Sequence, residues 1–165
     1  MRFHRATHHA SSSALPDGWA ALAGIVLGVS GQLPVLLIAL ALWFVLKTLR
    51  PDSSKNLIVA TSLFVSTSLM SALSSLNDPT VLLVVFGVLI FSLVFFSSGY
   101  KWLGLPIIAY SMWLIWNMLF FFQTANRDEQ QFALGNIFLY GFIISFTILF
   151  LLERSKAEQD AAANP

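Results

Sequence analysis

The sequence predicts an all-α integral membrane protein, a bundle of about five transmembrane helices. Of its 165 residues, 57% are hydrophobic and 10% are charged, whereas a soluble domain carries about 25% charged residues. The mean hydropathy is +0.77. The apolar residues form uncharged runs near the length of about 20 residues that one helical span requires. We therefore expect one membrane domain, residues 19–153, between a polar amino-terminal tail, 1–18, and a polar carboxy-terminal tail, 154–165.

The first apolar run extends from Trp19 to Leu46 without a charged residue. It is too long for one untilted crossing and too short for two, since each crossing takes about 20 residues. We expect one span over residues 28–46, kinked at Pro34 because proline removes a backbone hydrogen-bond donor. Residues 19–30 then either lie in the membrane interface or extend this helix, and both alternatives stay open.

The second and third spans are expected over residues 57–76 and 79–98. The second is rich in serine and threonine, whose hydroxyl groups can bond back to carbonyls of their own helix, so such a helix can still enter a bilayer. In the turn between the spans, Asp78 suits the position that caps a helix and Pro79 suits the first helical position. Gly99 is a typical residue at which a helix ends.

The fourth and fifth spans are expected over residues 103–122 and 133–152. The fourth is rich in tryptophan and phenylalanine, and the polar loop behind it contains Asn126 followed three residues later by Glu129. This spacing is typical of a capping box, which satisfies backbone N–H groups at the beginning of a helix. The last helix is therefore expected to begin near Arg127.

The distribution of basic residues predicts the orientation. With five spans, six basic residues lie on one side of the membrane and three on the other. The positive-inside rule places the richer side in the cytoplasm, which predicts a plasma membrane protein of the bacterial inner-membrane type with its amino terminus outside and its carboxy terminus in the cytoplasm. The acid-poor start, which contains Arg and Ser, is also typical of a mitochondrial transit peptide, so a mitochondrial membrane is the less favoured alternative. The richer side holds Lys47, Arg50, Lys55, Lys101, Arg154 and Lys156, and the other side holds Arg2, Arg5 and Arg127.

The sequence lacks the residues that several kinds of membrane-protein chemistry need. No Asp, Glu, Lys, Arg or His falls inside a predicted span, whereas ionisable residues in the membrane usually mark proton relays and functional centres. The chain has no cysteine, and its net charge of +1 favours no nucleic-acid partner. His4 and His8 have the spacing of a metal-binding pair, but nothing beside them completes a site, so we expect a solvated tail. The sequence therefore indicates no catalytic residue, no metal and no cofactor.

Small residues at four-residue spacing mark faces where membrane helices can approach closely. One such series is Ala20, Gly24 and Gly28, and Gly141 and Ser145 form a second. We favour packing within the chain over a surface for a homo-oligomer or another partner. The same choice applies to a stripe of hydroxyl groups in the second span, which either packs against neighbouring helices or lines a polar cavity. The residues of this hydroxyl stripe are Thr61, Ser68, Ser71 and Ser75.

A polar and aromatic cluster is predicted between the last two helices. Tyr110, Trp113 and Asn117 share one helix face, and Asn136 and Tyr140 lie one turn apart on the next helix. A short loop joins the two helices, so they are antiparallel neighbours and the two asparagines lie at similar depth. We expect an interhelical hydrogen bond between these faces. The alternative is a small aromatic and amide pocket for an apolar ligand.

These features favour a non-enzymatic function. We expect an accessory, assembly or scaffold subunit that acts through helix–helix contacts, because short loops leave little structure outside the membrane and the small-residue faces suit association. The expected partners are the lipid bilayer and either another membrane protein or a second copy of the chain. The alternative is a facilitator or binder of a small uncharged or hydrophobic molecule, at the hydroxyl stripe and the face of Tyr110 and Asn117.

Overall fold

The computed structural model describes residues 15–74 and 78–163, with side chains from residue 18 onward. Within these ranges the protein is all-helical and has no strand. A single 3₁₀ turn, Lys101–Leu103, precedes the fifth α-helix. The six α-helices of the described ranges are α1 (Leu15–Val29), α2 (Leu33–Leu49), α3 (Lys55–Ser74), α4 (Pro79–Ser98), α5 (Gly104–Thr124) and α6 (Arg127–Ala163).

Four of these helices, α3 to α6, are long and apolar enough to cross a membrane. The helices α1 and α2 are shorter, with 15 and 17 residues. At 1.5 Å per residue they are about 22 and 26 Å long, whereas the hydrocarbon core of a bilayer is about 30 Å thick. The bounds of α3, α4 and α5 lie within two residues of the predicted second, third and fourth spans.

The first predicted span is replaced by two helices. Gly31 has a φ of +79°, in the left-handed region that favours glycine, and it lies in the turn of residues 30–32 that separates α1 from α2. Pro34 stands in the first turn of α2, where its missing N–H would have no intrahelical partner in any case. The prediction of one span over residues 28–46 with a kink at Pro34 is therefore wrong, because Pro34 begins a new helix.

The helices α1 and α2 form an antiparallel hairpin against the rest of the bundle. The ring of Trp19, near the beginning of α1, meets the ring of Phe142 edge-on at a centroid distance of 6.0 Å. Beyond the end of α1, the backbone oxygen of Ser30 lies against Gly135, seven residues before Phe142 in α6. Thus α1 runs antiparallel to α6, and α2 returns beside α3.

The helix α3 lies at the centre of the bundle, in contact with α1, α2, α4 and α6. Its small hydroxyl side chains allow this, since Thr61, Ser62 and Ser66 are each at most 2% exposed. Ser62 Oγ donates to Ile58 O at 2.7 Å, and Ser66 Oγ donates to Ser62 O at 2.5 Å. These bonds satisfy the buried hydroxyl groups of Ser62 and Ser66 within their own helix.

The residues of the hydroxyl stripe of α3 have different surroundings. Thr61 is buried, whereas Ser71 is exposed. Ser68 is half-buried, and its Oγ donates to Phe64 O at 2.9 Å. Ser75 lies outside the described residues. The described members therefore do not line one common polar cavity.

The helix α4 begins and ends where the sequence predicts. Asp78 Oδ1 accepts hydrogen bonds from the backbone N–H groups of Thr80 at 2.9 Å and Val81 at 3.4 Å. At the other end, Gly99 has a φ of +59°, and its N–H donates to Phe95 O at 2.9 Å. The aspartate cap and the left-handed glycine satisfy groups that a helix leaves unpaired at its ends.

The helix α6 begins at Arg127, as the predicted capping box requires. Glu129 Oε2 accepts a hydrogen bond from the backbone N–H of Asn126 at 2.9 Å. The helix then continues past the apolar segment to Ala163. Most of the polar carboxy-terminal tail is thus part of the same helix.

Candidate functional site

The helices α5 and α6 pack closely at a glycine that sequence reasoning does not single out. A Cβ atom added at Gly104 would lie 3.1 Å from both Leu151 Cδ2 and Thr147 Cγ2. This contact fixes the antiparallel register of the two helices. Asn117 follows Gly104 by thirteen residues, and Asn136 precedes Thr147 by eleven, so the two asparagines lie at similar depth.

The predicted hydrogen bond between these two asparagines is nevertheless not made. Asn117 is exposed, and its Nδ2 donates to Trp113 O at 2.7 Å. Asn136 is buried, and its Nδ2 donates to Phe132 O at 2.9 Å. Each amide bonds a carbonyl one turn earlier in its own helix. The prediction of an interhelical bond is therefore wrong, because equal depth does not bring the two side chains to the same face.

The aromatic members of the predicted cluster have different surroundings. The ring of Tyr110 meets that of Phe64 in α3 edge-on at a centroid distance of 6.0 Å, and the ring of Trp113 lies 5.9 Å from that of Tyr110. Trp113 is 58% exposed, whereas Tyr140 is partly buried and packs against the hydrophobic core. The five predicted residues therefore do not surround one pocket.

Tyr110 does line a small apolar cleft between α4 and α5. The cleft has a volume of about 270 Å³, and Phe64 of α3 also borders it. None of the other four predicted cluster residues lines it. The remaining lining residues are Val84, Gly87, Val88, Phe91, Pro106 and Ile107.

The small-residue faces are not closed by packing within the described chain. A Cβ atom added at Gly24, Gly28 or Gly141 would meet no atom within 4 Å. Ser145 Oγ donates to Gly141 O at 2.9 Å, and Ala20 packs beside the hydrophobic core. The packing that the sequence favours for these faces is therefore not found at the three glycines.

A close helix approach occurs instead at Gly135. A Cβ atom there would lie 2.8 Å from the backbone oxygen of Ser30 and 3.0 Å from Gln32 Nε2. Gln32 is only 6% exposed, so the α1–α2 turn packs directly against α6. Sequence reasoning misses Gly135 because a lone glycine shows no four-residue series.

A larger apolar cavity lies between α1, α2, α3 and α6. Its volume is about 540 Å³, within the range of about 300–1,000 Å³ that is usual for small-molecule sites. Gly24 is one of its wall residues, and Lys47 and Lys55 stand at one end. Sequence reasoning does not find this cavity, because it depends on the hairpin that replaces the first predicted span.

Most basic residues gather at one end of the bundle, which we call the basic end. The end of α2, the beginnings of α3 and α5, the end of α4 and the last turns of α6 meet there. Arg50 Nη1 donates to Phe96 O at 3.2 Å, and Lys101 forms a salt bridge with Glu158. The basic residues of this end are Lys47, Arg50, Lys55, Lys101, Arg154 and Lys156.

A second cavity, of about 710 Å³, opens at the basic end. Its charged lining residues are Arg50 and Arg154 together with Asp52 and Glu153. Two positive and two negative side chains leave this cavity without a net charge that would select an ionic ligand.

The described residues contain no group of three or more His, Cys, Asp or Glu side chains that could hold a metal ion. His4 and His8 lie outside the described residues. Comparison of the chain with protein-family models, curated proteins and solved structures finds no match. The class of the protein therefore rests on its own architecture, an all-helical protein with four long apolar helices that could span a membrane.

Proposed function

We propose that this chain is a multi-pass integral membrane protein that acts without catalysis, as an accessory, assembly or scaffold subunit through helix–helix contacts. The observation that carries the proposal is Asn117 on the outward face of α5. Its Nδ2 bonds its own helix, and within the described residues its side-chain oxygen has no hydrogen-bond partner. In lipid, such an amide is a group that a second helix can satisfy.

The surroundings of Asn117 support this reading. Only 11% of the most apolar part of α5 is buried, against 50% for α6. The outward face combines large aromatic residues with one amide, a composition that suits a helix neighbour as well as lipid. Its large exposed side chains are Met112, Trp113, Trp116, Leu119 and Phe120.

The test is an Asn117→Leu variant, which removes the outward amide without removing an interhelical bond within the chain. A photo-reactive amino acid at Trp116 should cross-link the wild-type protein to a membrane-protein partner or a second copy. The Asn117→Leu change should abolish this product, whereas Met112→Leu on the same face should keep it. A wild-type protein that gives no cross-link and purifies alone would contradict the proposal.

We further propose that the membrane is the plasma membrane and that the basic end faces the cytoplasm. The hairpin of α1 and α2 directs the beginning of α1 toward this end, where the apolar part of α6 also ends, and this supports placing both tails on the cytoplasmic side. Arg2 and Arg5 would then join the basic end, with eight of the nine basic residues in the cytoplasm and only Arg127 outside. This bias satisfies the positive-inside rule better than the five-span topology, which has the amino terminus outside.

A second candidate function is the binding of a hydrophobic molecule. The observation that favours it is the apolar cavity of about 540 Å³ between α1, α2, α3 and α6. This cavity is larger than the cleft beside Tyr110, where the sequence places such a ligand. Retention of a small molecule by the purified protein, and its loss when the cavity is filled, would test this function.

A further inference from the structure

Asn117 lies deep in the part of α5 that could cross a membrane. The helix has 21 residues, so it is about 31 Å long, close to the thickness of about 30 Å of a hydrocarbon core. Asn117 follows Gly104, the first residue of α5, by thirteen residues and precedes Thr124, the last, by seven. It is therefore about 20 Å from one end of the helix and about 10 Å from the other. From this depth the short asparagine side chain cannot reach water at either surface.

The amide of Asn117 is only partly satisfied within its own chain. A side-chain amide has two N–H donors and an oxygen that accepts hydrogen bonds, and one donor is used by Trp113 O at 2.7 Å. The neighbouring exposed side chains of this face are those of Trp113, Trp116 and Phe120, and they contain no hydrogen-bond acceptor. Unsatisfied polar groups are costly in hydrocarbon. A second helix against this face would satisfy the amide.

A second copy of the chain presents the matching group at the matching depth. Copies inserted in one orientation carry Asn117 at the same distance from the membrane surface, so a two-fold axis along the membrane normal brings the two amides together. Each amide has a further N–H and an oxygen to offer, and the two side chains can therefore donate to one another. Buried asparagines specify register and the number of helices in coiled coils in the same way. An unrelated helix would suit this amide only if it carried a polar residue at the same depth.

The residues one turn to either side of Asn117 suit the same contact. Trp113 and Phe120, at i−4 and i+3, lie along the same face and are 58% and 71% exposed. In a two-fold interface each ring lies near its counterpart in the second copy, and aromatic pairs add to such a contact. Only 11% of the most apolar part of α5 is buried within the chain. The face around the amide therefore has room for a whole helix.

We propose that the chain forms a homodimer in which α5 packs against α5 and the two Asn117 side chains exchange hydrogen bonds. The inference rests on the proposed function and names its partner as a second copy. The amide fixes the register of the two helices, whereas the aromatic rings supply most of the contact area.

Disulfide cross-linking in native membranes tests the interface, because the chain has no cysteine. Phe120→Cys keeps Asn117 and places a thiol on the α5 face. Oxidation should then join two copies into a product of twice the chain mass of 18.2 kDa.

Leu83→Cys on α4 is the matched control. Leu83 is 74% exposed against 71% for Phe120, and the two residues lie at similar depth. Leu83 precedes Ser98, the last residue of α4, by fifteen residues, and Phe120 follows Gly104 by sixteen. Both counts start from the basic end. The control should give little disulfide product under conditions in which Phe120→Cys is largely cross-linked.

The dissociation constant of the purified dimer tests the hydrogen bonds themselves. Sedimentation equilibrium in detergent measures it. Asn117→Leu should raise the constant about tenfold, in the range that interhelical hydrogen bonds of membrane proteins give. Asn117→Gln keeps a side-chain amide and should dimerise nearly as well as the wild type. An unchanged constant in Asn117→Leu, or an equal loss in both variants, would overturn the role of the amide.

The outcomes separate this inference from the proposed function. A photo-cross-link from Trp116 that joins two copies supports both. A product with a different membrane protein, lost in Asn117→Leu, would keep the proposed function but overturn the second copy as the partner. Absence of any product would overturn both.

Two of these measurements keep Asn117 in place, so the test does not depend on the folding of Asn117→Leu. Equal disulfide yields from Phe120→Cys and Leu83→Cys would overturn the inference, because random collision would then account for the product.

Discussion

Asn56, in the first turn of α3, donates a hydrogen bond from Nδ2 to Oε1 of Glu153 on α6 at 2.6 Å. The other carboxylate oxygen, Oε2, accepts from Ser54 Oγ at 2.5 Å. The first N–H groups of a helix have no intrahelical partners and carry a partial positive charge, so an acidic group is well placed there. Glu153 thus joins the end of the apolar part of α6 to the beginning of the central helix.

Replacing Glu153 should destabilise the bundle. Asn56 is only 2% exposed, so Glu153→Ala would leave a buried amide without its partner, at a cost of about 1–3 kcal/mol. Glu158→Ala, further along the same helix, removes an exposed salt bridge with Lys101 and should cost less than about 1 kcal/mol. Denaturation in detergent–SDS mixtures measures both free energies of unfolding. Equal losses in the two variants would contradict a specific role for Glu153.

The contact between the α1–α2 turn and α6 predicts that the same substitution has different effects on stability at two glycines of α6. Gly135→Ala would put a Cβ atom 2.8 Å from the backbone oxygen of Ser30, so the turn must shift, at a cost of about 1–3 kcal/mol. Gly141→Ala meets no neighbour and should stabilise α6 by up to about 1 kcal/mol, since alanine is the better helix former. Thermal unfolding of both variants in the same detergent gives the comparison. A Gly135→Ala protein as stable as the wild type would show that the turn does not pack against α6.

Local sequence signals predict those parts of the fold that depend on neighbouring residues. The caps of α4 at Asp78 and Gly99, and the beginning of α6 at Glu129, follow from residue type and spacing alone. The division of the first apolar run does not, because hydropathy cannot distinguish a glycine turn from a long helix. Gly31, with its positive φ, lies in a turn whose Ser30 oxygen packs against Gly135 of α6, and this contact joins residues far apart in the sequence.

The predicted polar and aromatic cluster shows a similar limit to what the sequence determines about side-chain positions. Helix periodicity and a short loop are sufficient to place Asn117 and Asn136 at similar depth. They do not determine rotation about each helix axis, which depends on close contacts such as that of Gly104 with Thr147 and Leu151. The sequence also does not predict the apolar cavity. Four helices form its walls, and no pattern in the sequence shows how these helices are arranged in space.

Two buried threonines at similar exposure should respond in opposite ways to the same change. Thr61 is 1% exposed and its Oγ1 has no hydrogen-bond partner among the described residues, whereas Thr147 is 0% exposed and its Oγ1 donates to Ile143 O at 2.7 Å. Thr61→Val removes an unpaired buried hydroxyl group and should leave the free energy of unfolding unchanged or raise it. Thr147→Val removes a made bond and should lower that free energy by about 0.5–1.5 kcal/mol. A larger loss for Thr61→Val than for Thr147→Val would indicate that Thr61 has a partner in the membrane.

The topology prediction can be tested in the natural sequence, because the chain has no cysteine and single-cysteine variants need no further changes. In the proposed topology both tails lie in the cytoplasm, so Ser12→Cys and Asp52→Cys should react with a membrane-impermeant maleimide only after the membrane is opened. Asn126→Cys, in the turn before α6, should react in intact cells. The eight-to-one distribution of basic residues is the physical reason, since translocating Lys and Arg in short loops is disfavoured. Labelling of Ser12→Cys in intact cells, with Asp52→Cys still protected, would instead restore the five-span topology and show that α1 and α2 do not both cross the bilayer.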